Sequence, residues 1–462
     1  MDATATIFAG AAEQVRMLAA GDITAPVLLE LYLERIARLD VQLNAYRTVR
    51  VEGARAEAAD AQRRLDAGER LALLGVPVAI KDDTDVAGEV TAWGTAAHGQ
   101  AKEHDAEVVR RLRDAGAIVI GKTNVSEMTI WPFTETPTFG ATRNPWDLSR
   151  SPGGSSGGTG AAVAAGLASF GIGSDGGGSI RTPATWCGLY GIKPQRDRVP
   201  LGPHDDGWQG LIVSGPLTRT VEDAALFLDV TTTLPSPDGG FVAAAARTPG
   251  RLRVAISTKI PPGLVARVGD AQRAAVVEAA TLLRELGHDV VERDPDYPAL
   301  AAGWNVMVRF LRGIHDDVAT MPHPELLEAR TRSMARAGGF VSDRRIAAVR
   351  AGEAPLAARV NAIFDDVDVV LTPGTATGPP RVGAHRRGAF VTLNVVMRRS
   401  PFQAIWNATG QPAAVVPWGL DGDGLPTSVQ LVGRPADEAT LLALSTQIEA
   451  ARPWSGRRPP VS

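Results

Sequence analysis

Two serine loops and one lysine carry the reactive groups of this chain. The stretch SPGGSSGGTGAAVAAGLASFGIGSDGGGSIRTP, from Ser151 to Pro183, twice sets glycines against serine. Near its end three glycines, Gly176, Gly177 and Gly178, immediately precede Ser179. A glycine run lets backbone N–H groups crowd a small space without Cβ clashes. Amides converging on one point hold a developing oxyanion, and losing one such donor typically costs about 3 kcal/mol of barrier. Ser179 therefore has the surroundings of a nucleophile. It still needs a base, and no histidine is near it in sequence. Lys81, which closes the apolar pattern GVPVAI, is a candidate. A lysine is a base only when neutral, so its pKa must fall by several units from about 10.4, each worth about 1.4 kcal/mol, through burial in a dry pocket.

Two other motifs, and the single cysteine, compete with that reading. Gly116 to Thr123, GAIVIGKT, satisfies the phosphate-loop pattern letter for letter. A phosphate loop needs a strand, then a bare turn whose amides cradle phosphate. Here the four middle residues are themselves a strand pattern, and Gly116 is better explained as a helix stop. GGSSG, Gly153 to Gly157, matches the nucleophile elbow with Ser155 at its centre, and Ser156 fits as well. An elbow requires a strand running directly into it, whereas RNPWDLSRSP reads as a loop. His204, His288, His315, His323 and His385 lie downstream in no recognisable catalytic setting. Cys187, the single cysteine, reads as a small buried residue with no visible base.

The elements that must position these groups follow from periodicity. Residues before about Leu71 read as helices; beyond them strands and helices alternate. VPVAI and AIVIG are strands flanking the helix DAEVVRRLRDAG, and RVAIS, DAQRAAVVEAATLLRELG and DVVER form a β-α-β unit. VDVVLTP, AAVVPW and TSVQLVG are later strands, and DEATLLALSTQIEAA is a closing helix. HPELLEARTRSMARAGGF and DRRIAAVRAGEAPLAARVNAIF are helical and form a cap beside the sheet. Such alternation predicts an α/β fold, a mixed twisted sheet covered by helices on both faces. We expect one large domain over residues 1–462, with N-terminal helices to about 70, a core to about 235 and the remaining sheet and cap beyond.

Composition excludes several classes. A formal net charge of -3 leaves no electrostatic footprint for nucleic acid. One cysteine permits no internal disulfide and no Cys-based metal framework, which suits a reducing cytoplasm. The N-terminus lacks a signal-peptide pattern, and the longest apolar stretch is too short and glycine-broken to cross a membrane.

GVPVAIKDDTDVAG, DAEVVRRLRDAGAIVIGKTNVSEM, TRNPWDLSRSPGGSSGGTGAAVAAG and GIGSDGGGSIRTPATWCGLYGIKP follow one another in order. This set, continued by GPLTRTVEDAALFLDV and NATGQPAAVVPWGLDGDGLPTSVQLVGRPADEATLL, resembles the amidase signature family over nearly the whole chain. The resemblance implies a Ser–Ser–Lys relay: Ser179 as nucleophile, Ser155 as the bridging serine, often on a cis peptide, and Lys81 as base. It implies an oxyanion site on Gly176, Gly177 and Gly178, no metal or organic cofactor, and a small-molecule amide as the only partner, with a homodimer as the candidate assembly. Asp175 and Arg181 read as a structural pair that holds the nucleophile loop.

Two departures from the family pattern stand out. The second residue after Lys81 is Asp83 where asparagine is usual; a carboxylate facing the amine would raise its pKa, so Asp83 is expected to point away or be neutralised. Gly176 replaces the usual threonine or isoleucine, which is expected to loosen the oxyanion loop. Met128 and Thr129 match positions whose backbone lines the pocket in the family. Trp131 and Pro132 stand where glutaminase subunits of tRNA amidotransferases carry a Gly-Ser pair, and Phe133 follows. Bulky rings there favour a free-standing amidase for apolar aliphatic or aromatic amides over such a subunit.

Overall fold

A computed structural model describes residues 2–204, 206–261, 264–385 and 387–462. In chain order the strands are β1 Tyr46–Val49, β2 Pro77–Lys81, β3 Ile118–Thr123, the small hairpin β4 Glu135–Thr136 and β5 Gly140–Ala141, β6 Phe170–Asp175, β7 Tyr190–Lys193, β8 Val213–Thr218, β9 Arg253–Ile256, β10 Asp289–Glu292, β11 Val369–Pro373, β12 Ala413–Leu420 and β13 Pro426–Gly433. All but the hairpin join one 11-stranded sheet in the order β1-β3-β2-β6-β8-β7-β12-β13-β11-β9-β10. It is mixed: β2 runs parallel to both β3 and β6, β9 runs parallel to β10 and β11, and the remaining pairs are antiparallel. With helices on its faces this is a single α/β domain, the mixed sheet between helical layers that the alternation of elements predicts.

The glycines of the core answer to close packing. The helix Gly157–Ala164, GGTGAAVA, is buried on every side, so it has no polar face. A Cβ on Gly158 would meet the Asn124 backbone N and O at 2.5 Å, so only glycine lets this helix approach the end of β3. Gly171 in β6 is likewise pressed against Thr159, whose Cγ2 would lie 2.4 Å from an added Cβ. Glycine in a strand weakens its sequence signal and marks such approaches; that is why β6, FGIGSD, does not read as a strand. β1 is hidden for another reason: it is only four residues between two long helices, Ala25–Leu43 and Val51–Asp66. The GKT segment is the end of β3, and Gly116 sits at φ +91° just after the helix Glu107–Asp114, as a helix stop rather than a phosphate loop.

Because β2 and β6 are parallel neighbours, with Val78 opposite Phe170 and Ala79 opposite Gly171, their C-terminal ends open at one sheet edge. Lys81 ends β2, and Ser174 and Asp175 end β6. The two serine loops pack over that edge.

Candidate active site

Lys81 is fully buried, its strand enclosed on both sides by β3 and β6. Its Nζ lies 2.7 Å from Ser155 Oγ and 2.6 Å from Ser174 Oγ. Burial drives the Lys81 pKa down from the ordinary amine value; Asp83 pulls it back upward by charge and hydrogen bonding, with Asp175 adding a little, and burial prevails. Ser155 follows a cis Gly154–Ser155 peptide and is 1% exposed. The neighbouring Ser156 turns the other way, donating from its hydroxyl to the Ser174 carbonyl at 3.3 Å. Of the two serines in GGSSG, Ser155 is therefore the one that meets the lysine. The Ser156 amide donates to the Ser179 carbonyl at 3.3 Å, tying the two serine loops to each other.

The turn that carries Ser179 is clamped from below. Arg181 forks onto Asp175 with two bonds of 2.9 Å, both side chains fully buried. Asp175 accepts from the amides of Gly178 at 2.6 Å and Ile180 at 3.2 Å. Asn407 Nδ2 donates to the Asp175 carboxylate at 2.9 Å, and Arg181 donates to Asn407 Oδ1 at 2.6 Å and to Gln430 Oε1 at 3.0 Å. Burial alone would raise the Asp175 pKa, but the charge and hydrogen bonds of Arg181, with Asn407, hold it well below the usual carboxylate range. Asp175 and Arg181 thus fix the loop. Gly178 departs from its expected oxyanion role: its amide is occupied by Asp175. Among the described residues no protein group accepts from the amides of Gly176, Gly177 and Ser179. Gly176 is also explained by packing, since a Cβ there would meet the Trp208 ring at 2.7 Å.

In front of Ser179 lies a cavity of about 110 Å³. Its floor includes Gly154, Gly176, Gly177, Gly178 and Thr182, and its walls are mainly apolar: Ile130, Trp131 and Pro132, Trp208 packed edge-on against Phe310, and Val306, Met307, Leu393, Val396 and Met397. Among the described residues no charged side chain lines it. Thr129 and Trp131 line the cavity, and the Met128 side chain beside them is buried in the adjacent apolar cluster. Lys81 and Ser155 do not line the cavity; Gly154, beside Ser155, does. Trp131 stacks on Phe133, and Arg330 covers both rings with its guanidinium carbon 5.3 and 5.6 Å from the ring centres. Cys187 is buried with its thiol pKa pushed up by desolvation, which removes it as a rival nucleophile.

The orientation of Asp83, the role of Ser174 and the far wall are not legible in the sequence. Asp83, expected to point away or be neutralised, does not point away: it faces Lys81 with Oδ2 3.1 Å from Nζ. Ser174 bridges the two, donating to Asp83 Oδ2 at 2.5 Å. The far wall comes from the helices Ala299–Ala319 and Ala389–Met397. The register of β6 against β2 would have revealed Ser174; no local pattern does.

A family model described as Amidase matches residues 27–442. The chain is 66% identical to AmiB2 of Mycobacterium tuberculosis (strain ATCC 25618 / H37Rv), itself named as an amidase on a provisional basis, over 100% of both chains. Among solved structures it is similar to a 6-aminohexanoate cyclic dimer hydrolase complexed with substrate, with a TM-score of 0.88 and 30% identity over 98% of this chain and 99% of that one. A bacterial aryl acylamidase superposes with a TM-score of 0.85 and 26% identity over 97% and 98%.

Proposed function

The chain belongs to the amidase signature family, whose members hydrolyse amides, and from that premise we propose that it cleaves small carboxylic acid amides with an apolar aliphatic or aromatic acyl group, through Ser179, Ser155 and Lys81. The observation that carries this reading is the buried Lys81 amine 2.7 Å from Ser155 Oγ, beside the loop that presents Ser179. Ser179 Oγ attacks the amide carbonyl while its proton passes to Ser155 and the Ser155 proton to the neutral Lys81 amine. The tetrahedral oxyanion rests on backbone amides of Gly176, Gly177 and Ser179, each worth up to about 3 kcal/mol. Returning the proton through Ser155 to the leaving nitrogen breaks the C–N bond and leaves an acyl-Ser179 ester. Water then attacks this ester, gives its proton to the same relay, and releases the carboxylate.

The apolar, uncharged cavity supports an apolar acyl group, because a charged or strongly polar one would lose its hydration with no partner in return. It also speaks against glutamine as the natural amide. The test is ammonia release from a panel of primary amides, with a cyclic diamide, an anilide and glutamine included, because the similar structures act on the first two kinds by name. Turnover of an apolar primary amide by the protein alone, lost in Lys81→Ala, is expected. Activity confined to glutamine plus a second subunit would overturn the reading, and activity confined to the cyclic diamide or the anilide would replace the substrate class.

A further inference from the structure

The surroundings of Lys81 hold more than the relay uses. Ser174 Oγ accepts from Lys81 Nζ at 2.6 Å and donates to Asp83 Oδ2 at 2.5 Å, and that same carboxylate oxygen lies 3.1 Å from Nζ. Thr84 Oγ1 donates to the other oxygen of Asp83 at 3.0 Å, so the carboxylate is fixed at both ends. We infer that Asp83, with Ser174 as its bridge, is a positioning residue that anchors the Lys81 amine toward Ser155 and sets the pH below which the base stops working. This rests on the reading of Lys81 as base.

The electrostatics are one-sided. From β6, Asp175 also faces Lys81, but its charge is taken up by Arg181. The serine loop offers only the Ser155 hydroxyl. On the far side of Asp83 is a cavity of about 60 Å³ lined also by Asp85, His204 and Asp317. Asp85 is paired with Lys102 at 3.4 Å and lies 3.6 Å from His204, and Asp317 accepts from Trp208 Nε1 at 2.8 Å. Among the described residues Asp83 is thus the one carboxylate in contact with Nζ. An opposite charge at that distance favours the ammonium form, against the burial that favours the neutral amine. Asp83 consequently places the acid limb of activity higher than the dry pocket alone would, in exchange for a lysine held on three sides.

The test is the pH dependence of Ser179 labelling by a fluorophosphonate probe, and of kcat/KM on any amide turned over, in the wild type, Asp83→Asn, Ser174→Ala and Ser174→Thr. Asp83→Asn is expected to move the acid limb down by about one to two pH units, with the plateau rate falling less than tenfold. Ser174→Ala is expected to lower the plateau tenfold or more, and Ser174→Thr, which restores the hydroxyl, to recover most of it. An acid limb that stays in place or rises in Asp83→Asn, or a threonine variant no better than alanine, overturns the inference. Should Asp83→Asn fail to fold by circular dichroism, Asp83→Ser removes the same charge and is read the same way, and the Ser174 pair decides by itself. Wild-type protein that takes no label at any pH would sink the relay instead, a separate outcome.

Discussion

The buried polar residues around Lys81 and the floor of the cavity are drawn from residues 81 to 182, where Lys81 is held by Ser155 and Ser174 and Asp175 by Arg181; the opposite wall comes from the helices Ala299–Ala319 and Ala389–Met397 and meets the cavity with Val306, Met307, Phe310, Leu393, Val396 and Met397. In the floor, angles and distances are fixed by charge-assisted bonds, such as the Asp175–Arg181 fork, and by contacts too tight for any side chain, as at Gly158. In the wall the only bonds are dispersion and exclusion of water, which tolerate a change of shape at modest cost. The contrast teaches that chemistry and selectivity are built from different materials here. A displaced floor atom loses the reaction, whereas a changed wall atom alters which acyl group fits.

Four experiments sharpen or break that division. The largest effect belongs to the relay: Ser179→Ala or Lys81→Ala should lower kcat/KM on the order of 10⁴-fold or more, measured as ammonia release. Residual activity within tenfold of wild type would show that the floor is not where the reaction is done. Next comes the clamp under it. Arg181→Met leaves the Asp175 carboxylate buried without its partner, and chemical denaturation should report a loss of about 3–5 kcal/mol. If stability is unchanged and only KM moves, Arg181 belongs with substrate contacts instead of the scaffold.

The wall predicts smaller, selective changes. Phe310→Ala or Met307→Ala should shift the ratio of kcat/KM between a bulky and a small acyl amide by roughly tenfold per site, with fluorophosphonate labelling of Ser179 kept. Equal losses on both amides would mean the wall also positions the reacting carbonyl.

The smallest effect lies where the two regions meet. Glu127, in the turn that carries Thr129, accepts from the Glu328 amide at 2.8 Å across to the cap. Burial raises its pKa from 4.5 to about 7, against the hydrogen bond from the Glu328 amide. A folded state that keeps a proton the unfolded chain releases loses stability as pH rises through that window. Denaturation at pH 5 and pH 7.5 should show a decline in the wild type that is shallower in Glu127→Gln. An identical decline would assign the slope to other raised carboxyls, Glu449 and Asp317 among them.

Much of this site is legible in one dimension. β2 and β3, the helix stop at Gly116 and the paired serine loops are local patterns, since a side chain's period and a glycine's freedom are felt within a few residues. The Asp175–Arg181 pair is local too, being six residues apart on one turn. Asp83 shows where such reading ends. Its type and position beside Lys81 are plain, and the expectation that it points away or is neutralised follows from what a base needs. The fold resolves the conflict otherwise, placing the Ser174 hydroxyl where it satisfies amine and carboxylate together.

The sequence by itself determined the chemical kit: a lysine at the end of an apolar strand, two hydroxyls among glycines, and the alternation that makes a sheet to carry them. Tertiary structure alone decided who meets whom. Lys81 and Ser155 are 74 residues apart, and Lys81 and Ser174 are 93 apart; they touch because β2 and β6 became parallel neighbours. Strand order is a property of the whole sheet, settled by how all its faces bury at once, and the same global burial brought two distant apolar helices over the cavity.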